Sequence, residues 1–256
     1  MTPGFIGTGI ITEAIVTGAL RAHDTIRKIT ISPRGAAIAA RLAQASPLVK
    51  IAADNQAVID ESDVVFLAIR PQIAEEVIRS LKFSKSQRVV SLIAAVQIET
   101  LASWIDAEVT ITRAIPLPFV ADLQGVTAIY PPSREVTAFF APLGAVLEAQ
   151  TLEEFDLFGV ASALMGSYFG IMETTARWFE RQGMPYDSAR AYLGPIFLSL
   201  SQAAVQEPVV PFKSLRSAFS TKGGLNEQMF EVFDRSGGMA ALTQALDQVL
   251  ARVRAR

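Results

Sequence analysis

The chain has 256 residues, half of them hydrophobic, which is enough for one large core or two smaller ones. A net charge of −2, a pI near 5.6 and the lack of any run of basic residues argue against a nucleic-acid surface or an anionic membrane as partner. With no cysteine and one histidine, His23, the sequence excludes disulfides, thiolate chemistry and histidine metal clusters, so we expect no metal site. His23 lies just past the first predicted helix, where we expect a solvated side chain.

The first predicted elements form a dinucleotide-binding turn. A short apolar strand runs into Gly7-Thr8-Gly9, and an amphipathic helix follows with Ile10 and Ile11 at its start. The first glycine permits the tight turn, and the second lets the backbone approach a pyrophosphate that the N–H groups of the helix can bind. Thr12 stands where this fingerprint prefers Gly or Ala.

The tip of the second predicted strand, residues 26–32, indicates which dinucleotide is preferred. NAD-specific folds usually carry Asp or Glu there, whereas this chain has Ser32 and Arg34. A hydroxyl and a guanidinium suit a 2′-phosphate, which a carboxylate would repel. The sequence therefore favours NADP over NAD, the alternative being a solvated loop arginine.

Strands and helices alternate through the rest of the first half, which predicts a doubly wound α/β domain over residues 1–150. Asn55 begins a helical turn, and the continuous apolar run 62–69, typical of a buried parallel strand, ends in the loop Arg70-Pro71-Gln72. The remaining predicted elements are a helix at 35–45, a strand at 49–51, a strand at 89–95, a helix at 98–105, strands at 109–116 and 125–130, and a helix and strand that end near 150.

Residues 151–256 show helical periodicity and no convincing strand, so they are predicted to form an all-α domain. Long helices are expected at 153–181 and 185–206, followed by a glycine turn that enters another helix and by a last helix. The longest uncharged stretch, 157–172, falls short of the roughly twenty residues that span a bilayer. Its broad apolar faces predict burial against a second subunit, as a homodimer or a higher oligomer. Because the first strand begins at Thr2, we expect no signal peptide and a cytoplasmic protein.

The ordered motifs resemble those of pyrroline-5-carboxylate reductase, the NAD(P)H enzyme that makes proline, over essentially the whole chain. The segments that carry the resemblance are Gly4-Phe5-Ile6-Gly7-Thr8-Gly9, Ser62-Asp63-Val64-Val65-Phe66-Leu67-Ala68-Ile69-Arg70-Pro71-Gln72, Ser91-Leu92-Ile93-Ala94-Ala95, Arg113-Ala114-Ile115-Pro116, Gln124-Gly125-Val126-Thr127-Ala128 and Gly183-Met184-Pro185.

The resemblance implies a Rossmann domain, a helical dimerisation domain, and an active site between one subunit's cofactor and the helices of the dimer. It assigns three groups of cofactor-binding residues by position. These are Gly7, Thr8, Gly9, Ile10 and Ile11 for the pyrophosphate, Ser32, Arg34 and Asn55 for the adenosine end, and Ala68, Arg70, Pro71, Ala94 and Ala95 beside the ribose and nicotinamide.

The substrate side departs from the family in three places. Its S-P-G-G-T-T turn reads Thr221-Lys222-Gly223-Gly224-Leu225-Asn226 here, and its S-G-S-G-P-A-Y and M-P-N-T-P segments are replaced at 162–168 and 115–119. We expect the backbone of Thr221, Gly223, Gly224 and Leu225 to bind a substrate carboxylate. Asn226 is the expected catalytic hydrogen-bond donor, or else a residue that caps its own helix.

These expectations describe an NADPH-dependent reductase of the C=N bond of a cyclic imino acid. Such a reaction needs little acid–base apparatus, because the imine can arrive protonated. Two alternatives stay open: an NADP-binding regulatory module without turnover, and a β-hydroxyacid dehydrogenase-like enzyme. The latter requires a lysine on the long central helix, and none occurs between Glu153 and Arg181.

Overall fold

A computed structural model describes residues 1–22, 24 and 26–255, so His23 lies outside the described residues. The chain divides into two compact units, one of Met1–Gly159 with Arg252–Arg256 and one of Val160–Ala251. The boundary between the units falls inside a helix, beyond the position at which the sequence changes character.

The first unit contains one sheet of eight strands with helices packed on it. The strands are β1 (Pro3–Ile6), β2 (Ile29–Ile31), β3 (Val49–Ile51), β4 (Val64–Leu67), β5 (Arg88–Ser91), β6 (Thr110–Pro116), β7 (Gly125–Tyr130) and β8 (Gly144–Glu148). The helices that alternate with them are α1 (Ile10–Ala22), α2 (Ala36–Ala45), α3 (Asn55–Asp60), α4 (Pro71–Arg79), α5 (Ile98–Trp104) and α6 (Arg134–Phe140), followed by α7 (Leu152–Ser162).

The strand order β3-β2-β1-β4-β5-β6-β7-β8 confirms the doubly wound α/β prediction. β1 pairs in parallel with β2 on one side and β4 on the other, so the direction of winding reverses between β1 and β4. Open sheets of this kind bind ligands outside the carboxyl ends of the strands at such a reversal. β7 runs antiparallel to its neighbour β6, and β8 pairs in parallel with β7, so the last two strands run opposite to the others. A short 3₁₀ turn at Pro118–Asp122 joins β6 to β7, where a parallel pair would need a crossover helix.

Both faces of the sheet are covered by apolar layers. Phe5 and Phe66, adjacent on β1 and β4, stack with ring centroids 4.6 Å apart, and Phe139 of α6 lies 4.9 Å from Phe66. The other face holds a second cluster, in which Leu67 and Val89 pack with residues of α3, α4 and α5. Burial on both faces explains why β4 and β5 read as continuous apolar runs.

The second unit is helical, as predicted. Beyond α7 the chain forms α8 (Leu164–Arg181), α9 (Tyr186–Gln206), α10 (Phe212–Ala218), α11 (Leu225–Arg235) and α12 (Gly238–Arg254). The prediction of one helix over 153–181 is wrong, because α7 ends at Ser162 and α8 begins at Leu164. The N–H of Ala163 donates to the carbonyl of Val160, a three-residue spacing that tightens the turn and interrupts the helix.

Much apolar surface of the second unit remains exposed. Its buried hydrophobic cluster consists of Ala176 on α8 with Ala189 and Leu193 on α9. Phe169 is 59% exposed and Tyr192 is 64% exposed. By length and composition alone, the helical stretch Leu152–Arg181 is the one candidate for a membrane span among the described residues, a property it shares with core helices of soluble proteins.

Candidate functional site

The loop between β1 and α1 approaches β4 closely. Gly7 has φ 99°, and a Cβ at this position would lie 2.3 Å from the carbonyl oxygen of Ala68, so only glycine fits. A Cβ at Gly9 would meet no atom within 4 Å, which leaves open space above that residue. Such a surface allows a ligand to approach the backbone at Gly9.

The first turn of α1 offers unpaired backbone donors to that space. The earliest helical hydrogen bond runs from the N–H of Glu13 to the carbonyl of Gly9. The N–H groups of Ile10, Ile11 and Thr12 precede it and have no acceptor within the helix. These donors and the positive end of the helix dipole favour a phosphate. The side chain of Ile10 is exposed, whereas that of Ile11 packs against the core.

Thr12, which departs from the glycine fingerprint, supports the loop through its hydroxyl. The side chain is fully buried, and Oγ1 donates to the carbonyl of Gly7 at 2.6 Å. A glycine or alanine could not make this bond. The replacement is therefore compatible with a dinucleotide-binding loop.

Ser32 also acts on the loop. Its hydroxyl accepts a hydrogen bond from the N–H of Gly7 at 3.0 Å and lies 3.2 Å from Oγ1 of Thr8. Because the Thr8 hydroxyl donates to the carbonyl of Ser32 at 2.7 Å, the Ser32 hydroxyl is left to donate to Thr8. Ser32 is fully buried, so its main contacts fix the glycine loop, a role different from the direct phosphate contact expected from the sequence.

A cleft of about 260 Å³ opens at the reversal between β1 and β4. It collects most of the residues assigned to the cofactor, including the exposed Arg34 from the tip of β2 and Asn55 from the start of α3. The predicted residues that line it are Gly7, Thr8, Gly9, Ser32, Arg34, Asn55, Ala68 and Arg70.

A second cleft, of about 320 Å³, is lined by the start of α4 and by the loop and helix after β5. Pro71 and Ala95 belong to its lining, as expected, whereas Ala94 is exposed beside it. The sequence reasoning missed Gln97 and Thr100, which also line this cleft. Their signal was available, because they lie in the loop and the helix that follow the carboxyl end of β5, a buried parallel strand.

The loop after β5 has an unusual backbone. β5 ends at Ser91, earlier than predicted, and Ala95 has φ 56°. This left-handed conformation is uncommon for residues other than glycine. The pyrroline-5-carboxylate reductase segment that residues 91–95 resemble reads S-I-x-A-G, so it has glycine where this chain has Ala95.

The predicted substrate turn lies in the second unit, and some of its backbone N–H groups already have hydrogen-bond acceptors nearby in the chain. Gly223 has φ 72°, and its N–H donates to the Glu227 carboxylate at 2.6 Å. The N–H of Gly224 donates to the carbonyl of Thr221 at 2.8 Å. Two of the donors expected to bind a substrate carboxylate therefore have partners already, one in the first part of α11 and one in the turn itself. Leu225 is 84% exposed.

Asn226 does not cap its own helix, whose N-terminal cap residue is Gly224. Its side-chain nitrogen donates to the carbonyl of Phe219 at 2.6 Å, which ties the end of α10 to the start of α11. Among the described residues, no group of three or more His, Asp or Glu side chains could hold a metal ion.

Comparisons with known proteins agree with this geometry. Residues 2–95 match the family model described as "NADP oxidoreductase coenzyme F420-dependent". Pyrroline-5-carboxylate reductase of Pasteurella multocida is 24% identical over 97% of this chain and 94% of its own length. The Pseudomonas aeruginosa enzyme is 25% identical over 95% of this chain and 92% of its own.

This chain is similar to pyrroline-5-carboxylate reductases over nearly its whole length. The resemblance inferred from the motifs is thus confirmed. The solved reductase of Streptococcus pyogenes has the same fold, with a TM-score of 0.87 at 24% identity, and the match covers 100% of this chain and 99% of that one. A Plasmodium falciparum pyrroline carboxylate reductase with NADP bound matches with a TM-score of 0.84 at 15% identity over 100% and 97% of the two chains.

Proposed function

We propose that this protein is an NADPH-dependent oxidoreductase that reduces the C=N bond of a cyclic imino acid. The observation that carries the proposal is the cleft at the reversal between β1 and β4. It combines the glycine loop, the exposed Arg34 and Asn55 in one place. The full-length similarity to pyrroline-5-carboxylate reductases supports the same reaction class.

The residues of the cleft suit the parts of NADP. The free N–H groups at the start of α1 provide donors for the pyrophosphate. Arg34 provides a charged, planar donor set for the 2′-phosphate, and the described residues that line this cleft include no Asp or Glu to repel it. When bound, the cofactor would supply the hydride.

The remaining steps fall to the protein and the solvent. A protonated imine needs only to be held with one face toward the hydride donor, so a histidine or a carboxylate pair is not required. We assign the substrate carboxylate to the turn 221–225, following the family resemblance. The Glu227 carboxylate accepts a hydrogen bond from the Gly223 N–H, so a substrate carboxylate would have to displace this side chain. Asn226 is assigned as a donor through its second amide hydrogen.

The exposed apolar helices support a homodimer. Phe169, Ile171, Trp178 and Tyr192 are each at least half exposed, and soluble monomers rarely leave so many large apolar side chains on one helical unit uncovered. A second copy of the chain would cover them. We also assign the protein to the cytoplasm, which suits a chain without cysteine.

The deciding experiment is NADPH oxidation with a panel of cyclic imines. Pyrroline-5-carboxylate, pyrroline-2-carboxylate and piperideine-2-carboxylate would be compared with pyrroline, which lacks a carboxylate. We expect turnover of at least one of the three imino carboxylates. Binding of NADPH without turnover of any imine would instead favour a regulatory module, the role that the altered substrate motifs suggest.

A further inference from the structure

Arg113 is a buried cation beneath the loop that follows β5. It lies in β6 and is only 4% exposed. Its Nη1 donates to Oε1 of Gln97 at 2.9 Å, and its guanidinium carbon lies 4.7 Å from the centre of the Phe155 ring. These contacts hold the guanidinium in a fixed direction.

Asp156 balances the charge of Arg113. It is 5% exposed, and its Oδ1 is buried without a hydrogen-bond partner among the described residues. Burial lowers the pKa of Arg113, while the negative charges of Asp156 and Glu99 act in the opposite direction. An arginine keeps its proton in proteins, so the group stays a cation and acts only as a donor.

The cation determines how the Gln97 side chain is turned. A carboxamide has one accepting oxygen and one donating nitrogen, and a cation can bond only to the oxygen. With Oε1 held by Arg113, Nε2 must face away from it. No partner for this nitrogen is found within the described residues, and Gln97 lines the second cleft. Gln97 therefore contributes to the cleft lining a side chain held in one orientation, whose two Nε2–H donors have no partner among the described residues.

The backbone of the same loop is also constrained. Ala95, two residues before Gln97, has φ 56°, and such a conformation persists only where its surroundings enforce it. Gln97 is the N-terminal cap residue of α5, and its carbonyl accepts the N–H of Leu101 at 3.0 Å. The hydrogen bond from Arg113 thus anchors the end of the loop next to the strained residue.

We propose that Gln97 is a further cofactor-binding residue, which donates through Nε2 to the ribose or carboxamide at the nicotinamide end of NADP, and that Arg113 is the positioning residue that orients it. This inference rests on the proposed function. It extends that function to two side chains that neither the motif reasoning nor the resemblance assigned to the cofactor.

The test compares binding of NADP⁺ with binding of 2′,5′-ADP, which lacks the nicotinamide end, by calorimetry. Gln97→Leu should weaken NADP⁺ binding by about fivefold to tenfold, the size of one neutral hydrogen bond, and leave 2′,5′-ADP binding unchanged. Arg113→Lys, which keeps the charge and loses the planar fork, should show the same selective loss. In the Gln97→Leu background, Arg113→Lys should cause no further loss of NADP⁺ affinity, because both changes remove the same contact with the cofactor.

Control measurements distinguish the proposed positioning of Gln97 by Arg113 from a purely structural role of Arg113. Gln124→Leu, at an exposed glutamine outside both clefts, should change neither affinity. An equal fall in both affinities, together with a lower melting temperature, would show that Arg113 only stabilises the sheet and would overturn the proposal. Unchanged NADP⁺ binding by Gln97→Leu would also overturn it. If the wild type bound neither ligand, the proposed function itself would fail.

Discussion

The hydroxyl of Thr12 donates to the carbonyl of Gly7 at 2.6 Å, across the turn that opens the dinucleotide-binding loop. Thr12→Val keeps the shape of the side chain and removes its hydroxyl donor. The Gly7 carbonyl then loses this hydrogen bond beside a fully buried side chain. We expect the free energy of unfolding to fall by about 1–3 kcal/mol. Urea denaturation would measure this, with Thr12→Ser as the control that retains the hydroxyl. Equal stability of Thr12→Val and wild type would contradict it.

Arg34 is expected to set the preference between the two nicotinamide dinucleotides. Arg34→Ala should remove one charge-assisted hydrogen bond to the 2′-phosphate and cost about 1.5–3 kcal/mol of NADPH binding, roughly 10- to 150-fold in affinity. NADH affinity should barely change. Titrating both cofactors into wild type, Arg34→Ala and Arg34→Lys would test this, with lysine retaining the charge but not the fork. An unchanged NADPH affinity in Arg34→Ala would rule the assignment out.

Replacing Ala95 with glycine should stabilise the folded protein. The left-handed conformation costs an L-residue about 1–2 kcal/mol, and glycine loses about 0.4–1 kcal/mol through its freer unfolded chain. Ala95→Gly is therefore expected to stabilise the protein by about 0.5–1 kcal/mol, read from thermal or urea unfolding. Ala94→Gly is the matched control, because Ala94 is not among the residues with positive φ and should only be destabilised. The idea fails if both variants lose stability alike.

Glu227 is expected to compete with the substrate for the Gly223 N–H. Glu227→Gln removes the negative charge beside the turn, so the KM for carboxylated imines should fall, while the KM for an imine without a carboxylate and the affinity for NADPH should stay the same. Steady-state kinetics with both imine classes would measure this, and Glu231→Gln, an exposed carboxylate further along α11, serves as control. Identical effects on the two imine classes would argue that the turn does not bind a carboxylate.

Gly166 tests the proposed dimer. A Cβ at this position meets no atom within 4 Å, so an aspartate there does not clash within the chain. If a second copy covers this face, Gly166→Asp buries an unpaired charge and should yield monomers in sedimentation experiments. Gly166→Ala separates the charge from the change in helix propensity. A wild-type protein that is monomeric, or that sediments only with membranes, would end the dimer proposal.

The local features of this protein could be read from its sequence. The periodicity of strands and helices, the Gly7-Thr8-Gly9 turn and the position of Arg34 depend on neighbours a few residues away. The structure reproduces most of these features, although β5 is shorter than predicted and the first long helix is divided in two. The exposed apolar helices of the second unit were visible for the same reason. Thr12, which looked like a defect in the fingerprint, is explained only by a hydrogen bond.

The tertiary structure decided the contacts between distant residues. Ser32 bonds to Gly7 from 25 positions away, and Arg113 reaches Gln97 from 16, so neither role follows from local spacing. The reversal of β7 and the break at Ala163 likewise depend on short connections and hydrogen bonds that no periodicity encodes. Sequence patterns specify which face of an element is apolar, whereas the partner of a buried polar group depends on which elements the fold brings side by side.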